Sequence, residues 1–161
     1  MKMAWFLQFI THLSQEIFHT IKNLKTMHFR TEITLPAMSR GFHLITNHVQ
    51  NALKSCTNSG VLHVFISHTS AGLCINENAD SLVLDDFDTF IDDLVPENYP
   101  KYTHTMEGSD DMPAHIKSVL TGSSVTVPVT NGRLDMGIWQ GIYLCEFRNS
   151  GGGRRLVLSL L

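Results

Sequence analysis

The dipeptide Asn131-Gly132 constrains this chain more than any other feature. It stands between SVTVPV and LDM, two stretches that suit extended backbone. Asparagine and glycine accept positive φ at both centres of a tight turn, so the flanking segments should pair antiparallel as a hairpin. Two more strand-like runs follow, GIYLCEFR and RRLVLSLL, separated by Asn149-Ser150 and a stretch of glycines. A succession of strands at the end of the chain argues against a doubly wound parallel sheet and for an α+β fold.

Upstream, FRTEITL alternates, with Phe29, Thr31, Ile33 and Leu35 on one face, and Pro36 closes it. VLHVFIS, residues 61–67, is apolar on both faces apart from His63, as a buried strand should be. Between them a helix is expected, capped by Thr46, with Val49, Leu53 and Cys56 at helical spacing. A second helix should start at Asn76 or Asn78 and end at Pro96. Its buried stripe would be Val83, Phe87, Phe90 or Ile91, and Leu94. A third is capped by Asp110 or Asp111, with Pro113 in its first turn and Gly122 as its stop. The expected order is β-α-β-α-α-β-β-β-β. That is one α+β domain over residues 27–161, with a largely antiparallel sheet and two to three helices.

Residues 1–26 stand apart as an N-terminal extension. Phe6, Ile10, Leu13, Ile17, Ile21 and Leu24 fall at helical spacing, but polar residues interrupt them too often for a membrane span. No small-residue cleavage site follows, which argues against a secretory signal. A docking helix, a membrane-surface helix and an extension upstream of a natural start at Met27 all fit; the last is favoured.

Charge is unevenly placed. Eleven of the fifteen acids lie between Glu77 and Asp111, where Lys101 is the one base. Such a segment suits contact with a cation or a basic surface, and equally a solvated helix face. The net charge of -3 gives no reason to expect nucleic acid as a partner. Cys56, Cys74 and Cys145 form no CxxC pair, which favours a reducing compartment, the cytoplasm, over a disulfide or Cys-zinc framework.

Three histidines sit where chemistry tends to live: His68 after a buried strand, His104 in a long loop, and His115 in the first turns of a helix. Three imidazoles can bind zinc and leave a coordination position open. The spacing matches no short metal motif, so satisfied structural histidines fit as well. Glu77, Glu107, Asp110 and Asp111 are candidate bases or orienters of the imidazoles. Asp111 could pair with His115 four residues on, though capping is the role its position favours. No GxSxG elbow surrounds Ser67 or Ser70, and there is no Walker loop and no GxGxxG after a strand.

RGFHLIT at 40–46, HTSAGLCINENAD at 68–80, EGSDDMPAHIK at 107–117 and GRLDMGIWQGIYLCEFR at 132–148 together resemble the signatures of the YjbQ family. That group is often labelled as secondary thiamine-phosphate synthases. The likeness spans about Met27 to Leu161. Where the family commonly reads GTWQ and HTSAS, this chain has Ile138 and Gly72.

The resemblance implies a homotrimer with its site around the histidines, at subunit boundaries. It implies His68, His104 and His115 as ligands of a divalent metal, zinc first, with magnesium for a diphosphate substrate. Glu77 and Glu107 would be catalytic, and Arg40, Thr69, Ser70, Asn76, Lys117, Trp139 and Gln140 would bind substrate. The implied reaction joins a pyrimidine diphosphate to a thiazole phosphate and expels pyrophosphate. Arg40, Lys117 and Arg133 are the cations available to it, and no phosphate-cradling glycine loop is visible. A metal-dependent hydrolase and a trimeric binding protein without catalysis are the other expectations.

Overall fold

The computed structural model describes residues 29–161, together with His12, Ser14 and Gln15. The amphipathic pattern of residues 1–26 otherwise lies outside the described residues. Residues 29–161 form eight strands and three helices in the order β1 (Phe29–Leu35), β2 (Gly41–Leu44), α1 (Thr46–Ala52), β3 (Gly60–Ile66), β4 (Ala71–Glu77), α2 (Leu82–Leu94), α3 (Asp111–Thr121), β5 (Ser124–Thr130), β6 (Arg133–Leu134), β7 (Gln140–Glu146) and β8 (Arg154–Leu160).

The strands form two antiparallel sheets where one was expected. The larger has the order β1-β8-β3-β5-β6 and the smaller β2-β7-β4. Alternation explains how they share a core. Leu62, Val64 and Ile66 of β3 and Leu156, Leu158 and Leu160 of β8 meet Ile142 and Leu144 of β7 in one buried cluster. The intervening residues of β7 point the other way, and Cys145 packs with Phe147 and Ala114 in a second cluster under α3. Most of β7 is therefore buried on both faces, as its unbroken apolar run suggests.

The Asn131-Gly132 hairpin forms as expected, with φ of 50° and 73° at its centres. Two strands escaped the sequence pattern. β2 is four residues long, and β4 reads AGLCINE, rich in residues that disfavour extended backbone. Gly72 in β4 has a packing reason: a Cβ there would stand 2.0 Å from Thr121 Oγ1 and 2.9 Å from the Gly122 carbonyl. The end of α3 thus lies directly on β4, and the Leu73 N–H donates to the Gly122 carbonyl at 3.0 Å.

The helix starts also shifted. Ile45 occupies the cap of α1, and Thr46 Oγ1 instead accepts the Ile142 N–H at 2.9 Å, tying the helix to β7. Asn76 lies inside β4, and α2 begins only after Ser81, with Asp80 Oδ1 accepting the Leu82 N–H at 2.9 Å. α2 buries none of its residues fully, and Phe87, Phe90 and Leu94 of its expected stripe are exposed.

One ion pair joins the sheets at their common end. The Arg154 guanidinium of β8 donates twice to Glu146 of β7, Nε and Nη2 each at 2.6 Å, with both residues buried. Glu146 Oε1 also accepts the Arg148 N–H at 2.9 Å, and Arg154 Nη2 reaches Ser70 Oγ at 3.3 Å. Glu146→Ala would strand the guanidinium without its partner. It should cost about 3–5 kcal/mol in urea denaturation, and replacing both members by Leu and Met should cost less.

Candidate functional site

α3 turns Asp111, Ala114 and Lys117 inward, a helical stripe that carries two charges. Its acid is neutralised from both sides. Asp111 Oδ1 meets the Arg148 Nη1, which arrives from the loop after β7. Asp111 Oδ2 lies 2.7 Å from His104 Nε2 and 3.3 Å from His115 Nε2. The four-residue step along α3 sets His115 over the carboxylate, and the loop before the helix brings in His104. The two imidazoles are 5.6 Å apart by centroid.

The proton on His115 can be placed. Its Nδ1 lies 3.0 Å from the Thr69 carbonyl, which can only accept, so Nδ1 carries hydrogen. In the neutral ring Nε2 is then a lone pair aimed at a buried carboxylate oxygen. Two lone pairs at that distance call for a proton or a cation between them. The donor atoms of His104, Asp111 and His115 all lie within 4.8 Å of one another. Around a tetrahedral zinc, with bonds of about 2.0 Å, ligand atoms stand about 3.3 Å apart. The His115–Asp111 distance matches that spacing, while His104 and Asp111 stand at the 2.7 Å of a hydrogen bond. The three could hold a divalent ion once that hydrogen bond opens, with Thr69 as the outer partner of His115.

Within one chain, Asp111 stands beside His104 and His115, and His68, which the resemblance groups with them, does not. His68 Nε2 accepts the backbone N–H of Arg155 at 2.8 Å and lies outside this group of three. Burial and the nearby Arg154 favour its neutral form by lowering its pKa, Glu146 opposes them, and Arg155 lowers it further. His68 does adjoin the centre, for it lines with Thr69, His115 and Ser118 an open hollow of about 380 Å³. Glu107 is exposed, with Oε1 3.9 Å from His104 Nε2, and its carbonyl accepts from Arg148 Nη2 at 2.9 Å.

The remaining expected residues divide into two groups. Arg40 and Lys117 are already paired. Arg40 donates to Asp92 and, at 2.6 Å, to Glu97, while Lys117 is 1% exposed and its ammonium also meets Asp92. Neither is a free cation for a diphosphate. Ser70 is engaged by Arg154. Asn76, Glu77, Trp139 and Gln140 gather at the far end of the small sheet, where Glu77 pairs Gln140 and Asn76 pairs Gly141. Six residues of strand separate Glu77 from Ala71, about 20 Å at 3.3 Å per residue. One chain does not bring them to the histidines.

Sequence reasoning placed Asp111 as a cap, and it missed Arg148. The spacing of Asp111 and His115 was the available signal for the first. Arg148 left none, since its partner lies across the fold.

The comparisons agree with this architecture. The model of the UPF0047 protein YjbQ-like family matches residues 31–161. The chain belongs to the YjbQ-like family. The YjbQ protein of Escherichia coli O157:H7 is 46% identical over 136 residues, which is 83% of this chain and 98% of that protein. The YugU protein of Bacillus subtilis is 46% identical over 89 residues, 55% of this chain and 65% of that protein. Among solved structures, the conserved hypothetical protein TT1486 from Thermus thermophilus superposes with a TM-score of 0.74 at 34% identity, covering 81% of this chain and 99% of its own. A YjbQ/UPF0047 protein from Clostridium acetobutylicum gives 0.72 at 38% identity, with the same coverage. Among the described residues no helix is long and apolar enough to cross a membrane.

In this YjbQ-like chain the acids around the centre are tuned by their cations. Burial works against ionising Asp92, but hydrogen bonds from Lys117 and Arg40 outweigh it and hold the carboxyl below its usual range. Ser109 and Arg40 do the same for Glu97. For Asp110, burial is overcome by the Asn149 N–H and Arg148. Each ionises more readily folded than unfolded. Their contribution to stability is therefore complete above the ordinary values of 3.8 and 4.5 and is lost as the pH falls below them. Asp92→Asn should lower stability at pH 7, and its difference from the parent should shrink by about pH 3, as followed by circular dichroism melts.

Proposed function

We propose that this protein is a cytoplasmic metal-dependent hydrolase of a small molecule, with its centre at His104, Asp111 and His115. The observation that carries this reading is the pair of imidazole Nε2 atoms facing one buried Asp111 oxygen. A bound divalent cation, zinc ahead of magnesium because two donors are imidazoles, would polarise a substrate oxygen and acidify water. The chain's own residues do the rest. Arg148 holds Asp111 by its guanidinium, and the Thr69 carbonyl keeps Nε2 of His115 free of hydrogen. Glu107, exposed and close to His104, takes the proton from the attacking water and returns it to the leaving group. The hollow bounded by His68 and His115 seats the substrate.

The thiamine-phosphate synthase activity implied by the resemblance needs cations for a departing diphosphate, and Arg40 and Lys117 are both engaged by Asp92. That pairing favours hydrolysis. The proposal includes a homotrimer. Trp139 is 63% exposed and Ile138 84%, and Phe90 and Leu94 of α2 are exposed within the described residues. In a trimer the end bearing Asn76, Glu77, Trp139 and Gln140 would approach the histidines of another copy.

Metal analysis of the purified protein should find about one zinc per chain, falling several-fold in Asp111→Asn and His115→Ala. Failure of the parent to bind zinc would overturn the reading. Ester and amide turnover with zinc, manganese and magnesium should require the metal. Pyrophosphate appearing only when both thiamine precursors are supplied would move the assignment to the synthase. Light scattering should return a mass three times that of the chain.

A further inference from the structure

We propose that His68 is a fixed hydrogen-bond donor to an uncharged acyl oxygen, the carbonyl of an ester or amide, bound in the hollow beside His115; this rests on the hydrolase reading above.

The donor follows from one hydrogen bond. A backbone amide can only donate, so the Arg155 N–H at 2.8 Å makes Nε2 of His68 the acceptor. The neutral ring then carries its hydrogen on Nδ1. A metal bound at Nδ1 as well would require an imidazolate, with both nitrogens stripped of hydrogen. In this arrangement His68 is therefore a donor and not a ligand. The ring is also clamped. The Ser67 N–H donates to the Arg155 carbonyl at 3.0 Å, so the residue before the imidazole is also tied to the start of β8. Among the described residues Nδ1 has no hydrogen-bond partner, and it is not among the buried unsatisfied atoms, so it remains open to a ligand.

The hollow decides what that ligand is. Its walls combine Ala71 and Val119 with the hydroxyl-bearing Thr69, Ser118 and Ser123, and among the described residues no Lys, Arg, Asp or Glu lines it. Ser118 Oγ is already committed to the Thr69 carbonyl at 2.6 Å. Apart from a metal held at His115, a phosphate group would meet no positively charged side chain among these lining residues, whereas a carbonyl needs one good donor. In the reaction the water oxygen bonds to the acyl carbon, and the bond to the leaving oxygen or nitrogen breaks with its electron pair. Glu107 carries the water proton to that leaving atom. Negative charge gathers on the acyl oxygen during addition, and the His68 Nδ1–H faces it.

Two measurements test this on the full chain. In histidine ¹⁵N spectra, His68 should show hydrogen on Nδ1 and none on Nε2, unchanged by added zinc, while His104 and His115 shift. A zinc-induced shift of His68 Nδ1 typical of ligation would overturn the proposal. If zinc shifts none of the three rings, the metal reading fails and the His68 tautomer remains readable on its own. The zinc-loaded protein should hydrolyse p-nitrophenyl acetate faster than p-nitrophenyl phosphate. His68→Ala should lower kcat on the acetate about 100-fold with zinc content unchanged. His68→Asn, whose amide N–H lies near the Nδ1 position, should recover part of the loss. A preference for the phosphate, equal losses in both variants, or no turnover of either probe would sink the assignment.

Discussion

The buried carboxylate of Glu146 sets the geometry on which the candidate site depends. It binds the Arg154 guanidinium through two contacts and the Arg148 backbone through a third. Both arginines then reach onward. Arg154 meets Ser70, and the next residue in β8 gives its N–H to His68. Arg148 extends its side chain to Asp110 and Asp111. Desolvating such a pair offsets much of its Coulomb attraction, so its main effect is to select one arrangement of the surrounding loops.

A second network explains the acidic segment. Asp92 and Glu97 sit opposite Arg40, with Lys117 beneath them, and this charge pairing helps to hold α2 where burial does not. Phe42 adds a ring contact to Phe87, 6.0 Å between centroids. The uneven charge along the chain thus has a structural use over much of its length. Among the described residues, a carboxylate faces two imidazoles only at the start of α3.

Several elements were legible in advance because their causes are local. The alternation of FRTEITL, the apolar run of VLHVFIS and the Asn131-Gly132 turn all appear at the expected places. β4 was not legible, because Gly72 serves the approach of α3 and Asn76 sits opposite Gly141, both long-range demands. The expected stripe of α2 was periodic but is not fully buried among the described residues. His104 and His115 stood out in the sequence for their local settings, and the fold sets their rings side by side. Asp111 was weighed as a partner for His115 and set aside, since a carboxylate at a helix start usually caps.

What the amino-acid order determined by itself was the antiparallel character of the strands, the ends of the helices set by Gly122 and the turn residues, and the family to which the motifs belong. These rest on backbone preference and on periodicity over a few residues. The tertiary structure alone decided which side chains share a site. Arg148 faces Asp111 from 37 positions away, and Arg155 orients His68 across 87. Such pairings follow from how the two sheets close on a common core, and no local pattern encodes them.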